Sequence, residues 1–318
     1  MNKPHLKNSK AYNGVSIRSK ICFLLLAVAF LSGCAIGGPN AGYDAGHNLI
    51  KGFSDVVPVI LTGMFVGGIG TLVGAGGGFL LVPILLLFYG FTPQHAIGTS
   101  TAVVFLNALS GTFSYISQQR IDYELGIKFS VVAVPGVIIG AYVSQYFNIV
   151  VFSIIFALLL LAISYSLVFV KEFNLVCSKH KIEPQTRVVC DSMGGVHTYS
   201  PDMSIGLGGS FLVGIISGLL GIGGGLIHVP LMSFLGIPIH IAAATSHLII
   251  VLTSIFGVII FATLNLIDLD YAIFLGIGSI LGAYYGAKIA VETKSDVIKA
   301  IIAILLLIVM VKLVMGIM

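Results

Sequence analysis

Ten apolar segments alternate with short polar stretches along the chain from residue 56 to its end. They are residues 56–73, 79–90, 96–117, 129–147, 149–170, 205–220, 226–235, 241–266, 271–287 and 300–318. Most are long enough to cross roughly 30 Å of hydrocarbon at about 1.5 Å per residue, but 79–90 and 226–235 reach only about half to two thirds of that distance. Each short segment follows a glycine cluster, so the pattern predicts helices that break inside a membrane.

The sequence is duplicated. GAGGGFLLVP at 74–83 returns 147 positions later as GIGGGLIHVP at 221–230, and further matches follow at an offset of 146. Each half carries five apolar segments, an odd number, so if all of them cross, the second half is inverted relative to the first. We therefore predict an all-α integral membrane protein of two inverted repeats, each of about five apolar segments with a glycine-broken half-helix.

Four regions follow from this pattern: a signal-like leader and linker (1–50), repeat 1 (51–170), a linker loop (171–203) and repeat 2 (204–318). With ten crossings, nine basic residues lie on one face (Arg120, Lys128, Lys171, Lys179, Lys181, Arg187, Lys288, Lys294 and Lys299) and two on the other (Lys51 and Lys312). With eight crossings the split is eight against three. Both counts place the linker loop in the cytoplasm, and ten crossings are preferred.

The leader has a basic start, an apolar run from Ile21 to Leu31 and the order Leu-Ser-Gly-Cys ending at Cys34. This order resembles a bacterial lipobox, so Cys34 is a candidate for lipidation. An uncleaved signal anchor or a chance cysteine is the alternative.

Composition narrows the function classes. The chain is 57% hydrophobic and 9% charged, too little polar surface for a soluble globule of 318 residues. A formal charge of +4 without a basic patch does not favour a nucleic-acid partner. The glycine runs lack a following GK[ST], and HExxH, a serine elbow and paired intramembrane aspartates are absent from the sequence, so we expect neither an enzyme nor a cofactor.

The linker loop holds residue types that bind zinc: Cys177, His180, Cys190 and His197. Their spacing does not follow a zinc pattern, and free thiols in a solvated cytoplasmic linker are the favoured interpretation. We expect no metal site.

The glycine breaks are the predicted binding site. Each short helix presents unpaired N–H groups and the positive end of its dipole at mid-membrane, which suits an anion. The hydroxyls of the Thr-Ser pairs that open the next segments either donate to the anion or cap their own helices. The candidate substrate-binding residues are Gly76, Gly77, Gly78, Thr99, Ser100, Gly223, Gly224, Gly225, Thr245, Ser246 and Asn107. Gly136/Gly140 and Gly282/Gly286 are assigned to close helix packing.

Three polar residues inside apolar segments have two interpretations each. His228 and His247 occur in the second half only, and an intramembrane ionisable group is a functional candidate by default. If protonated, either histidine adds positive charge for an anion or couples transport to protons; if neutral and hydrogen-bonded, it is a packed side chain. Asn107 either lines a polar cavity or forms an interhelical hydrogen bond. Four carboxylates at segment ends are expected to be solvated caps: Asp122, Glu124, Asp268 and Asp270.

The paired motifs GxGGG, VP and (G/A)TS, occurring twice in order, resemble the double signature of the TauE/SafE (TSUP) family of sulfite exporters over roughly residues 55–317. The resemblance implies a multi-pass permease of the bacterial inner membrane that moves small anions such as sulfite and related organosulfur or carboxylate anions, commonly outward. It also implies that the glycines and Thr-Ser pairs named above line the path.

The leading hypothesis is a secondary transporter with a small anion and lipid as its partners, and with protons as a candidate coupling ion. A membrane scaffold or assembly factor without transport activity is one alternative, and a passive anion channel is another. Substrate identity, direction, coupling ion and oligomeric state stay open.

Overall fold

The computed structural model describes residues 53–169, 187–190, 192, 195–292, 304 and 306–312. The first half contains α1 (Phe53–Val73), α2 (Gly78–Leu87), α3 (Pro93–Ser117), α4 (Tyr123–Ser144) and α5 (Ile149–Phe169). The linker region contains β1 (Arg187–Cys190) and β2 (Val196–Tyr199), and the second half contains α6 (Met203–Leu220), α7 (Gly225–Phe234), α8 (Ile239–Thr263) and α9 (Leu269–Glu292). The predictions for Cys34, Cys177 and His180 fall outside the described residues.

The apolar pattern identified the helices correctly. Nine of the ten predicted segments correspond to α1 to α9, and the described part of the tenth, at 304 and 306–312, is helical as well. Among the described residues, six helices are long and apolar enough to span a membrane: α1, α3, α4, α6, α8 and α9. The all-α membrane fold is thereby confirmed.

Both glycine clusters interrupt the helices as predicted. The chain leaves α1 at Val73, and α2 then runs back alongside α1: a Cβ on Gly77 would lie 2.9 Å from the Val66 carbonyl oxygen, and the Tyr89 hydroxyl lies 3.3 Å from Thr62 Oγ1. The contacts that Asn107 makes with Gly67 and that Tyr115 makes with Thr71 show that α3 runs parallel to α1. These directions are the ones that ten crossings require of the first three segments, and the number of crossings stays a prediction.

Each half makes its main packing contacts with the other half. α1 of the first half lies against α9 of the second, and α6 of the second half lies against α4 of the first. The backbones touch because glycines face carbonyl oxygens: Gly282 faces Met64 on α1, and Gly140 faces Ile215 on α6. The packing role assigned to the small residues of α4 and α9 therefore agrees with the structure. Inversion of the halves in the membrane stays a prediction, which this reciprocal exchange supports.

A β-hairpin in the linker is the feature that the apolar pattern did not predict. β1 and β2 pair antiparallel, with Arg187 opposite Tyr199 and Cys190 opposite Val196. Tyr199 is buried in a cluster with Leu125, Phe129 and Val229 from α4 and α7. The hairpin is therefore packed onto the helical core.

Substitution at the α1–α9 contact tests this packing. We expect Gly282→Ile to lower the free energy of unfolding by about 3 kcal/mol, because its side chain must displace the α1 backbone at Met64. Gly208→Ile, in α6, is the matched control, since nothing lies within 4 Å of a Cβ added there. Chemical unfolding in detergent measures both variants, and equal effects would contradict the close packing of α1 and α9.

Candidate functional site

The two helix breaks face each other. Gly76 and Gly77 have φ of 73° and 85°, and the equivalent Gly223 and Gly224 have φ of 72° and 75°, a region that side chains other than glycine rarely enter. The breaks also approach closely. A Cβ on Gly78 would lie 2.6 Å from the Gly221 carbonyl oxygen, and one on Gly225 would collide with the Gly74 carbonyl oxygen. Glycine is thus required here both by conformation and by space.

Each break is closed by a serine from the opposite half. The Ser100 hydroxyl donates to the Gly221 carbonyl over 3.0 Å. The Ser246 hydroxyl shares its one proton between the Gly74 carbonyl at 2.6 Å and, in its own helix, the Ala243 carbonyl at 2.8 Å. A helix end leaves carbonyl groups without intrahelical partners, and such groups are costly in hydrocarbon. The two serine protons are therefore used by the protein itself in this conformation.

The threonine beside each serine makes a second contact between halves. Thr99 Oγ1 accepts a hydrogen bond from the Asp268 backbone N–H over 3.0 Å, and Thr245 Oγ1 accepts one from the Asp122 N–H over 3.1 Å. The Asp122 carboxylate caps α4 by accepting from the Leu125 N–H. Asp122 is 6% exposed, so the expectation of a solvated cap was wrong for this residue.

The first N–H groups of both short helices remain available. Within the described chain, the N–H groups of Gly77, Gly78 and Phe79 have no acceptor, and the same holds for the matching groups of Gly224, Gly225 and Leu226. Neither helix has a side-chain cap. Six N–H donors at two buried, positive helix ends form an arrangement suited to a small anion.

Two apolar side chains separate these helix ends. Val104 of α3 and Ile250 of α8 lie against both breaks: Cβ atoms added at Gly76 would meet them at 3.1 and 3.2 Å. The sequence pattern predicted no role for this pair, although the two residues match at the offset of 146 that relates the halves. They close the centre of the site in this conformation.

Asn107 makes interhelical contacts on the α1 side of the site. Its amide nitrogen donates to the Gly67 carbonyl at 3.0 Å and lies 3.4 Å from the Ser279 carbonyl, while its oxygen accepts from the Thr71 hydroxyl at 2.9 Å. The amide thus joins α1, α3 and α9.

His228 is buried in α7, one turn from Gly224, between two oxygen atoms. Its Nδ1 lies 3.1 Å from the Gly224 carbonyl oxygen and its Nε2 lies 2.9 Å from Ser210 Oγ, which donates to the Phe129 carbonyl. Nδ1 must carry a proton to bond a carbonyl, and Nε2 must carry one to bond a serine whose own proton is used. All three bonds form together only with a doubly protonated ring, and a neutral ring forms two.

His247 differs from His228. Its Nδ1 lies 3.0 Å from the Ala243 carbonyl oxygen, and its Nε2, fully buried beside Gly111, has no partner among the described residues. The ring also packs edge-on against Tyr115, with centroids 5.2 Å apart. A neutral ring with its proton on Nδ1 satisfies the one bond present.

Within the described residues, no group of three or more His, Cys, Asp or Glu side chains is placed to hold a metal ion. Of the four zinc-type residues in the linker, Cys190 and His197 lie on the two strands of the hairpin. His197 is opposite Val189 and Cys190 is opposite Val196.

Fold and site together define an all-α, multi-pass membrane protein with two facing helix breaks, an arrangement typical of secondary transporters.

Comparison with known proteins identifies the family. Residues 59–313 match the profile of the family described as sulfite exporter TauE/SafE, and the chain belongs to this family. It is 36% identical over 261 residues to the probable membrane transporter protein YunE of Bacillus subtilis (strain 168), covering 80% of this chain and 95% of that protein. A probable membrane transporter protein of Methanocaldococcus jannaschii is 29% identical over 214 residues, covering 65% of this chain and 72% of that protein. No solved structure matches significantly.

Removal of the serine hydroxyls tests the cross-capping of the breaks. We expect Ser100→Ala and Ser246→Ala each to lower the free energy of unfolding by about 1–3 kcal/mol, because each leaves a buried carbonyl without its donor. Ser117→Ala, which removes an exposed hydroxyl bonded within its own helix, is the control and should cost less than about 0.5 kcal/mol. Unfolding of all three in detergent gives the comparison, and control-like behaviour of the site variants would disprove the capping role.

Proposed function

We propose that this membrane transporter moves a small oxyanion of the sulfite class, and that the anion binds between the two glycine breaks. The observation that carries the proposal is the set of six acceptor-free N–H groups at the buried ends of α2 and α7. The site would be Gly76, Gly77, Gly78, Gly223, Gly224 and Gly225, with Thr99, Ser100, Thr245, Ser246 and Asn107 supporting the breaks. The family description supports sulfite as the first substrate to test.

The helix ends suit an anion because they offer positive charge without a buried cation. Each helix end carries roughly half a positive elementary charge, so two facing ends together balance about one negative charge. Val104 and Ile250 must move apart before a polyatomic anion fits between the breaks. The described conformation is thus an occluded one in the proposed cycle.

His228 is the proposed site of a coupled proton, and His247 is the weaker candidate. Protonation lets His228 complete its bonds to Gly224 and Ser210, whereas His247 has a partner at one nitrogen only. The added charge would lie one turn into α7, close to the proposed anion. Anion and proton would then favour each other's binding, which is reciprocal linkage between two sites.

Outward movement is the proposed direction across the bacterial inner membrane. One net negative charge leaving a cell with a negative interior gains about 2.3 kcal/mol for each 100 mV. Export of an anion is therefore driven by the membrane potential, and a co-transported proton would reduce that drive by cancelling charge. Flux under an imposed potential and under an imposed pH gradient separates the two driving forces.

Anion flux into proteoliposomes is the direct test. We expect saturable sulfite movement, slower acetate movement, and a fall of about tenfold in Gly77→Leu plus Gly224→Leu, equal to about 1.4 kcal/mol. The double variant blocks both breaks, and Gly208→Leu, where nothing lies within 4 Å, is the control. Normal flux in a folded double variant would disprove the site. Non-saturable flux would indicate a channel, and no flux of any anion in folded wild type would favour a scaffold.

The two histidines are compared by the pH dependence of flux. We expect the pH dependence of sulfite flux to be the same in the wild type and in His247→Gln, and to be reduced in His228→Gln to what the change of sulfite between its singly and doubly charged forms produces by itself. Ser210→Ala, which removes one bonding partner of His228, should give an intermediate profile. An unchanged profile in His228→Gln would exclude His228 as the coupling site.

A further inference from the structure

The hairpin formed by β1 and β2, here called the linker hairpin, binds the carboxylate of Asp122. Arg187 Nη1 donates to Asp122 Oδ1 over 2.9 Å and to Oδ2 over 3.1 Å, and the Tyr199 hydroxyl donates to Oδ2 over 2.9 Å. Arg187 Nη2 also pairs with Glu124 Oε1 over 2.6 Å. Paired donation of this kind fixes geometry as well as charge.

These donors keep their protons at working pH. Burial alone would lower the pKa of Arg187, but the carboxylates of Glu124 and Asp122 outweigh it and raise that pKa. Burial, reinforced by the charge of Asp122, raises the pKa of the Tyr199 hydroxyl. Because both pKa values are raised, Arg187 and Tyr199 lose their protons, and the stability that their bonds contribute, only as the pH rises through those raised pKa values. The bonds to Asp122 therefore persist throughout the neutral range.

Asp122 connects the linker hairpin to the proposed transport site. Its backbone N–H donates a hydrogen bond to Thr245 Oγ1. The adjacent Ser246 hydroxyl donates to the Gly74 carbonyl at the helix break. Asp122 and Thr245 belong to different halves, so this contact lies where the halves must part if they rock against each other, as repeats do in alternating access. A force on the Asp122 carboxylate therefore acts at a boundary between the halves.

The second contact between the halves, between Asp268 and Thr99, has the same backbone bonds as the Asp122–Thr245 contact. The Asp268 backbone N–H donates to Thr99 Oγ1. The Asp268 carboxylate caps α9 by accepting a hydrogen bond from the Tyr271 N–H. The linker hairpin contacts the Asp122 carboxylate, whereas the charge of Asp268 acts on His95 of α3. The two contacts between halves thus share their backbone bonds, but differ in the side chains that act on the aspartate carboxylate.

We propose that the linker hairpin is a latch on the Asp122–Thr245 boundary, with Arg187 and Tyr199 as positioning residues that slow its opening during transport. The proposal rests on the proposed transport function and concerns the control of the same site. The latch contacts lie outside the six N–H donors, so it affects the rate of the conformational step and leaves anion affinity unchanged.

Hydrogen exchange and flux together test the latch in the full chain. In Arg187→Gln plus Tyr199→Phe we expect amide exchange over 118–126 to rise about fivefold, while the matching segment 264–272 serves as the internal control and stays within about twofold. The maximal rate of sulfite flux should rise about threefold with its KM unchanged, because opening is less restrained. Lys128→Gln removes an exposed ion pair to Glu124 without touching Asp122, and should change neither.

Three results would overturn the latch. They are unchanged exchange over 118–126, an equal rise over 264–272, and raised exchange without a rise in the maximal rate, which would make the hairpin merely structural. Tyr199→Phe alone keeps the buried ring, so it supplies a folded variant if the double change unfolds the protein. Exchange is measured without anion, so absence of flux in the wild type would refute the proposed function separately.

Discussion

The structure depends on how an interrupted helix survives inside hydrocarbon. Each unpaired backbone group there costs several kcal/mol, and each break leaves carbonyl groups at one helix end and N–H groups at the next. Ser100 and Ser246 pair carbonyl groups at the two breaks, each from the opposite half. Neither half closes its own break at these carbonyls, so each half supplies the donor for a carbonyl group of the other. The N–H groups stay available, and the chemistry of the site follows from them.

The same exchange between halves governs packing. α1 lies against α9 and α4 against α6, with glycines admitting backbone contact, while Thr99 and Thr245 reach Asp268 and Asp122 across the boundary. Residues that hold the site together are thus also residues that a relative motion of the halves would disturb. Since close glycine packing resists gradual deformation, a motion of this kind would occur between discrete arrangements.

The sequence predicted the fold well because membrane helices are specified locally, by the length of an apolar run and by glycines that interrupt it. It made the glycines and the Thr-Ser pairs candidates for the site because the duplication marks them. It did not identify their partners, since the bond from Ser246 to Gly74 depends on which elements of the two halves meet. The prediction that Asp122 is solvated was wrong for a similar reason. The side chain is covered by a hairpin in a polar linker, and that linker has no apolar periodicity.

Two differences between the halves lie next to α4. Leu81 and Gly63 stand in the first half where His228 and Ser210 stand in the second, and the described residues contain one such hairpin, in the linker. In a fully symmetric protein the two contacts between halves would be equally easy to open. Differences of this kind are therefore needed if one contact is to be controlled separately in the proposed transport cycle. Both meet on α4, where Asp122 at the N-cap receives Arg187 and Phe129, two turns further along, receives Ser210. A proton on His228 and a released hairpin would therefore act on the same helix, which gives the proposed coupling and the proposed latch a common mechanical element.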